Sequence, residues 1–153
     1  MKKNNLFILV SALFLFVSCG TDTGNPSMLP GSDPFIGQPI SSQVASILCR
    51  KIRTCFPINL SSCETKIRIV PNISTALGLN EATYSHLNAI QSAINSSVLS
   101  VDQTQGTLCL NQIYQASCSD TDIQQSYAST DPENLDNAYR MLSLSPTCAQ
   151  FIF

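Results

Sequence analysis

Six cysteines between residues 40 and 153 constrain the fold more than any other feature of the sequence: Cys49, Cys55, Cys63, Cys109, Cys118 and Cys148. Six is an even number, so all of them can pair if the chain folds in an oxidising compartment. Zinc sites need closely spaced ligands such as C-x2-C, and no two of these cysteines are that close in the sequence. The pattern therefore predicts a small domain stapled by three disulfides, with no metal centre.

The beginning of the chain predicts export. Two lysines precede an apolar stretch from Leu6 to Val17, which is followed by Ser18 and Cys19. A membrane-spanning helix needs about 20 apolar residues, so this shorter stretch is typical of a cleaved export signal. We expect residues 1–18 to be a signal peptide. The alternative is an ordinary secretory signal in which Cys19 has no special role.

The end of this stretch resembles the lipobox of bacterial lipoproteins, in which a small residue precedes a Cys that becomes lipidated when the signal is cut off. Phe16 stands where the lipobox usually has Leu. The resemblance implies a lipid on Cys19, and each buried CH2 of such a lipid contributes about 0.8 kcal/mol to membrane binding. In Gram-negative lipoproteins an Asp after the lipidated Cys commonly signals inner-membrane retention, so Gly20 implies the outer membrane.

Residues 19–39 are predicted to be a tether between the lipid and the folded domain. They contain four of the six Gly, four of the eight Pro and no basic residue. Proline fixes φ and favours extended geometry in the preceding residue, so we expect a semi-extended segment. The opening CGTDTGNP, residues 19–26, resembles the start of many predicted Gram-negative lipoproteins, and that likeness concerns anchoring alone.

The apolar residues of positions 40–153 recur with a helical period, and no segment alternates convincingly with period two. We therefore expect an all-α bundle of about five helices. The first helix is expected from Ile40 to Cys55, before Pro57, and the second from a capping box at Ser61–Glu64 to Pro71. The third begins at an Asn80 cap and continues through Leu87 to Val98. The fourth runs from about Asp102 to Ser117, and the fifth from Asp131 through Leu142.

The cysteine spacing resembles Cys-rich helical domains of exported proteins to which no activity is attached. The likeness spans about residues 45–151 and rests on C-x-K-x-x-x-C-x-P at 49–57, S-x-C-E at 61–64 and the Cys109 to Cys118 segment. It implies no activity. From the expected turns and helices we predict the pairs Cys55 with Cys63, Cys118 with Cys148, and Cys49 with Cys109.

The charge pattern excludes one class of partner and leaves others open. Charged residues make up 12% of the chain and the net charge is −2, so a nucleic-acid partner is not expected. The basic and acidic residues nevertheless form two sequence clusters. We expect solvated helix faces, with steering of a charged partner or loose pairing between the clusters as alternatives. The clusters are Arg50, Lys51, Arg53, Lys66 and Arg68, and Asp120, Asp122, Asp131, Glu133 and Asp136.

Residues that carry out chemistry in other proteins do not form a recognisable catalytic motif here. His86 is the only His and is expected at the border of an apolar stripe. Asp120-x-Asp122 lacks the Gly and the terminal Glu of a calcium loop. Glu64 and Glu81 are candidate carboxylates for a hydrolase.

Together these features predict a noncatalytic envelope lipoprotein without a cofactor, anchored to a membrane through Cys19. Its domain is expected to act as an interaction or structural module toward another envelope protein or polymer. The alternative is a small envelope hydrolase that acts on wall or polysaccharide through carboxylates.

Overall fold

A computed structural model describes residues 38–58, 60–127, 131 and 133–153. The expected signal peptide, the lipidation site Cys19 and nearly all of the tether lie outside the described residues. Within these ranges the chain forms six α-helices, two 3-10 helices and no β-strand. An isolated antiparallel bridge joins Val101 to Ile152. The prediction of an all-α domain is confirmed.

The helix bounds in chain order are α1 Ile40–Cys55, α2 Cys63–Ile67, α3 Ile73–Ala76, α4 Leu87–Asn95, α5 Gln103–Gln115 and α6 Thr121–Ser126, followed by the 3-10 helices η1 Ala138–Leu144 and η2 Pro146–Ala149. No helix among the described residues is both long enough and apolar enough to cross a membrane.

The first helix organises the core. Its apolar face includes Val44, Leu48 and Ile52, all fully buried, and it packs against α2, α4 and α5. Burial of each such side chain stabilises the fold by about 1.5–3 kcal/mol. The helix ends at Cys55, two residues before Pro57, as the sequence predicts.

The predicted capping box before α2 does not form. The helix begins at Cys63, so Ser62 and not the predicted Ser61 stands at the capping position. Ser62 has a left-handed φ of 59°, and its side chain makes no capping hydrogen bond. A capping Ser or Thr requires an extended backbone, which Ser62 does not have. The helix also ends at Ile67, earlier than expected, although Val70 beyond it is still buried.

The predicted Asn80 cap of α4 is also wrong. The Asn80 side chain instead accepts a hydrogen bond from the Ala82 amide in a preceding turn, with N···O 2.9 Å. The helix begins later, after His86, and ends at Asn95. Since Ser97 then takes a φ of 59°, the chain leaves the helical path and Val98 is exposed rather than buried in the expected stripe.

The segment after residue 130 does not form the predicted α-helix. The Asp131 and Asn134 side chains accept hydrogen bonds from amides two residues later, at 2.9 Å each. Such local turns compete with helix formation. The chain then forms the 3-10 helix η1, which still buries the expected Ala138 and Leu142. Two short helices, α3 and α6, occur in segments where the sequence predicted no helix.

Three disulfides form, as predicted, but all three expected pairings are wrong. The bonds join Cys49 to Cys63, Cys55 to Cys118, and Cys109 to Cys148. The six-residue separation of the two cysteines in α1 places them on different faces of the helix, because each residue rotates the helix by about 100°. Cys49 therefore meets α2, and Cys55 meets the turn after α5.

Candidate functional site

The basic cluster predicted from the sequence is divided in the structure, where Arg50 and Arg53 are exposed but Lys51 is buried. Lys51 is only 4% exposed, and its ammonium donates to the carbonyl oxygens of Tyr114, at 3.0 Å, and Ala116. These carbonyls end α5, so a cation there complements the negative end of the helix dipole. Burial lowers the pKa of the Lys51 ammonium below its ordinary value.

The three arginines of the cluster also contact their own domain. Arg68 donates to the Ser42 hydroxyl, with N···O 3.0 Å, and thereby joins the end of α2 to the start of α1. Arg53 donates to the Leu60 carbonyl at 3.5 Å. The Arg50 guanidinium carbon lies 5.6 Å from the centre of the Tyr114 ring. These contacts leave less of the cluster available for steering a partner than the sequence pattern indicated.

One salt bridge joins the basic cluster to the acidic cluster within the described part of the chain, between Lys66 and Glu133. Lys66 and Glu133 also line a surface depression of about 320 Å³, together with Ile69 and the acidic residues Asp131 and Asp136. Ile69 is 60% exposed. The depression thus combines a paired cation, carboxylates and one accessible apolar side chain, a mixture suited to noncovalent contact.

His86 and the candidate carboxylate Glu81 accept hydrogen bonds from backbone amides at the beginnings of helices. The Nδ1 atom of His86 accepts a hydrogen bond from the Ala89 amide at 3.2 Å and so caps α4. The Glu81 carboxylate accepts from the Asn72 amide at 2.9 Å and from the Thr75 hydroxyl at 3.2 Å. His86 is half-buried beside the buried Leu87 and also caps the helix.

The remaining acidic candidates lie apart from these caps. Asp120 accepts from the Asp122 amide at 2.9 Å and starts α6. Glu64 lies in the first turn of α2, half-buried. In the described ranges, no group of three or more His, Cys, Asp or Glu side chains could hold a metal ion.

A second feature lies where the ends of α1 and α5 adjoin, and we call it the rim. It is defined by five residues: Lys51, Cys55, Phe56, Cys118 and Tyr127. The Cys55–Cys118 disulfide closes it, and the Phe56 and Tyr127 rings pack with centroids 4.9 Å apart. Sequence reasoning missed the rim because its members are far apart in the chain. The serines on both sides of Cys118 were the one available signal of an accessible sulfur.

The chain matches no known protein family, no curated protein and no solved structure.

Proposed function

We propose that the protein is a noncatalytic lipoprotein of the bacterial cell envelope, which presents a helical domain to another envelope protein or polymer. The observation that carries the proposal is the pairing of all six domain cysteines in three disulfides. Disulfides form and persist in oxidising compartments, whereas cytosolic thiols are kept reduced. A domain stapled in this way is expected outside the cytoplasm.

The sequence before the domain supports a lipid anchor. The apolar stretch that ends at Cys19 has the length of an export signal, and the following Pro- and Gly-rich residues separate Cys19 from α1. A semi-extended tether at about 3.1 Å per residue would let the domain reach on the order of 60 Å from the membrane. Lipid on Cys19 would provide the attachment, and the outer membrane is the expected location.

The positions of the candidate catalytic groups support contact rather than chemistry as the role of the domain. Glu81 and His86 already satisfy backbone amides at helix beginnings. A general acid or base must instead be within reach of a substrate proton. The depression beside the Lys66–Glu133 pair offers polar and apolar groups together, as binding surfaces do.

The mass of the intact protein extracted from membranes tests the anchor. We expect the mass of residues 19–153 plus acyl chains, with no thiol alkylated until the sample is reduced. A Cys19→Ser variant is the matched control and should lose the acyl mass. An unlipidated chain from the wild-type gene would contradict the anchor, and free thiols in the extracted protein would contradict the export argument.

Crosslinking in intact cells tests the interaction. A photoreactive amino acid is placed in turn at the exposed apolar positions Ile69, Val98, Leu108 and Phe153, with the exposed polar position Thr65 as control. An interaction module should give a reproducible adduct from at least one apolar position and none from Thr65. Absence of any specific adduct at all four positions would contradict the binding role.

A further inference from the structure

The three disulfides differ in their access to solvent. The four sulfur-bearing residues of two bonds are almost completely buried: Cys49, Cys109 and Cys148 are 0% exposed and Cys63 is 1% exposed. Cys55 and Cys118 are both partly exposed. Reduction begins with attack of a thiolate on one sulfur of the bond, so the reagent must reach that sulfur. Exposure of the bonded residues therefore separates Cys55–Cys118 from the other two disulfides.

The surroundings of Cys118 leave room for such an attack. It lies in the turn between α5 and α6, and its neighbours Ser117 and Ser119 are exposed. The turn is closed by a hydrogen bond from the Asp120 amide to the Ser117 carbonyl at 3.0 Å. Cys118 lies outside the helices, whereas Cys109 lies within α5 and is fully buried.

Lys51 connects the two segments that carry the cysteines of this bond. Lys51 precedes Cys55 by one helical turn, a spacing that places the two on the same side of α1. Its ammonium also binds the carbonyl of Ala116, two residues before Cys118. A nearby positive charge favours a thiolate over a thiol. We therefore expect Lys51 to favour the thiolate that leaves when the bond opens.

We propose that Cys55–Cys118 is a thiol–disulfide exchange site, opened by a dithiol reductant of the envelope while the other two disulfides stay closed. It rests on the proposed function only for the compartment in which that reductant is met. A dithiol protein is the fitting reagent, because one thiol attacks and the second resolves the mixed disulfide.

The exchange balances in two steps. A thiolate of the reductant attacks the sulfur of Cys118, the bond between the two protein sulfurs breaks, and its electron pair leaves on Cys55. The second thiolate of the reductant then attacks its own partner sulfur in the mixed disulfide and releases Cys118 as thiolate. The protein gains two electrons and two protons, and the reductant ends as its own disulfide.

The rest of the domain is held together when this bond opens. Cys49–Cys63 still joins α1 to α2, and Cys109–Cys148 still joins α5 to η2. The hydrogen bonds from Lys51 to the end of α5 are also independent of the disulfide. Exchange therefore changes the covalent state of the rim without requiring the domain to unfold.

Timed reduction of the oxidised, membrane-extracted protein in detergent tests the proposal. Dithiothreitol is added without denaturant, samples are alkylated at intervals, and labelled peptides are quantified by mass spectrometry. We expect Cys55 and Cys118 to be labelled together, at least ~10-fold faster than the other four cysteines. Equal rates for all six, earlier labelling of Cys109 or Cys49, or no labelling before unfolding would each overturn the proposal.

A double variant, Cys55→Ala with Cys118→Ala, is the matched control. It should keep the helical circular dichroism spectrum and lose the fast labelling phase. A fast phase that persists in this folded variant would assign exchange to another disulfide. The readout does not depend on acylation, so loss of the lipid anchor from the proposed function would be recognised separately by intact mass.

A trapping experiment tests the class of partner. A thioredoxin-type protein in its reduced state, with its resolving Cys replaced by Ser, attacks a disulfide and remains attached. We expect an adduct on Cys118, mapped by peptide analysis. An adduct on a buried cysteine, or none when dithiothreitol does open the bond, would overturn exchange with a dithiol protein.

Discussion

Two of the disulfides are buried and one is partly exposed, so the same type of covalent bond occurs in two different surroundings. Cys49–Cys63 and Cys109–Cys148, which we call the centre, lie inside the apolar core. The rim is closed by Cys55–Cys118 beside a buried lysine and two packed aromatic rings. The difference indicates that the centre depends on packing around its cysteines, whereas the rim combines polar capping by Lys51 with partial exposure of its cysteines.

Loop length does not separate the rim bond from the centre bond Cys109–Cys148, although the other centre bond, Cys49–Cys63, closes only 14 residues. The centre bond Cys109–Cys148 closes a segment of 39 residues and the rim bond one of 63. The chain-entropy relation gives about 4 kcal/mol for each, with a difference below about 0.5 kcal/mol. Burial of the sulfurs therefore decides which bond contributes more to stability.

The largest expected effect comes from removal of one centre bond, Cys109–Cys148, by Cys109→Ala with Cys148→Ala. We expect the free energy of unfolding to fall by about 5 kcal/mol, since loss of the cross-link is joined by small cavities in the core. The Cys55→Ala, Cys118→Ala pair should cost about 1–2 kcal/mol less, because its sulfurs fill less of the core. Urea unfolding followed by circular dichroism measures both. Equal losses would remove the distinction between centre and rim.

The next effect tests how tightly the chain packs beside the centre. Gly78 has a φ of +76°, and a Cβ at this position would lie 2.3 Å from the carbonyl oxygen of Ala149, the residue after Cys148. Gly78→Ala must therefore shift η2 and strain the backbone, and should cost about 3 kcal/mol. Ser97→Gly is the control, because Ser97 also has a positive φ but is exposed; it should be neutral or slightly stabilising. Thermal unfolding distinguishes the two directions.

A smaller effect is expected at the rim from Lys51→Met. Two carbonyls at the end of α5 lose their charged donor, so we expect a loss of about 2 kcal/mol at neutral pH. Lys51→Arg keeps the charge and should lose less. The Met variant should also slow reduction of Cys55–Cys118, since the leaving thiolate loses its cation. An unchanged rate would show that accessibility alone governs the exchange.

The pH dependence of stability shows how burial of the Lys51 charge affects folding. Burial lowers its pKa in the folded protein, so between that lowered value and 10.5 the unfolded chain binds more protons than the folded one. Stability contributed by this group therefore rises with pH across that window. The difference in unfolding free energy between wild type and Lys51→Met should increase as pH approaches 10.5. A flat difference would mean that Lys51 titrates alike in both states.

The smallest effect is expected at the depression, outside both regions. Lys66 and Glu133 are each substantially exposed, and exposed ion pairs contribute about 0–1 kcal/mol. Glu133→Gln should therefore change the unfolding free energy by less than about 1 kcal/mol, and added salt should remove the change. A double-mutant cycle with Lys66→Gln isolates the pair. A larger coupling energy between Lys66 and Glu133 that does not change with added salt would show that this pair stabilises the fold.

Several features followed from local sequence alone. Apolar residues at helical spacing identified α1 and its end before Pro57, because one helix face must be buried and proline cannot continue the helix. Asp102 and the apolar flank after it likewise indicated α5. The even number of domain cysteines predicted three disulfides. The two helix predictions depend on residues within a few turns of one another, and the number of disulfides depends only on the number of cysteines.

Tertiary structure decided what local sequence could not. Ser62 and Ser97 take left-handed backbone conformations, so α2 and α4 begin or end at other residues than predicted and the capping box does not form. The chain turns at these residues and brings neighbouring helices into contact. The disulfide partners and the capping of α5 by Lys51 join residues 14 to 65 positions apart. Which groups meet over such distances depends on how helix faces pack together. The sequence therefore determined the helical class and the number of cross-links, while packing of the helices decided which cysteines paired and which pair remained accessible.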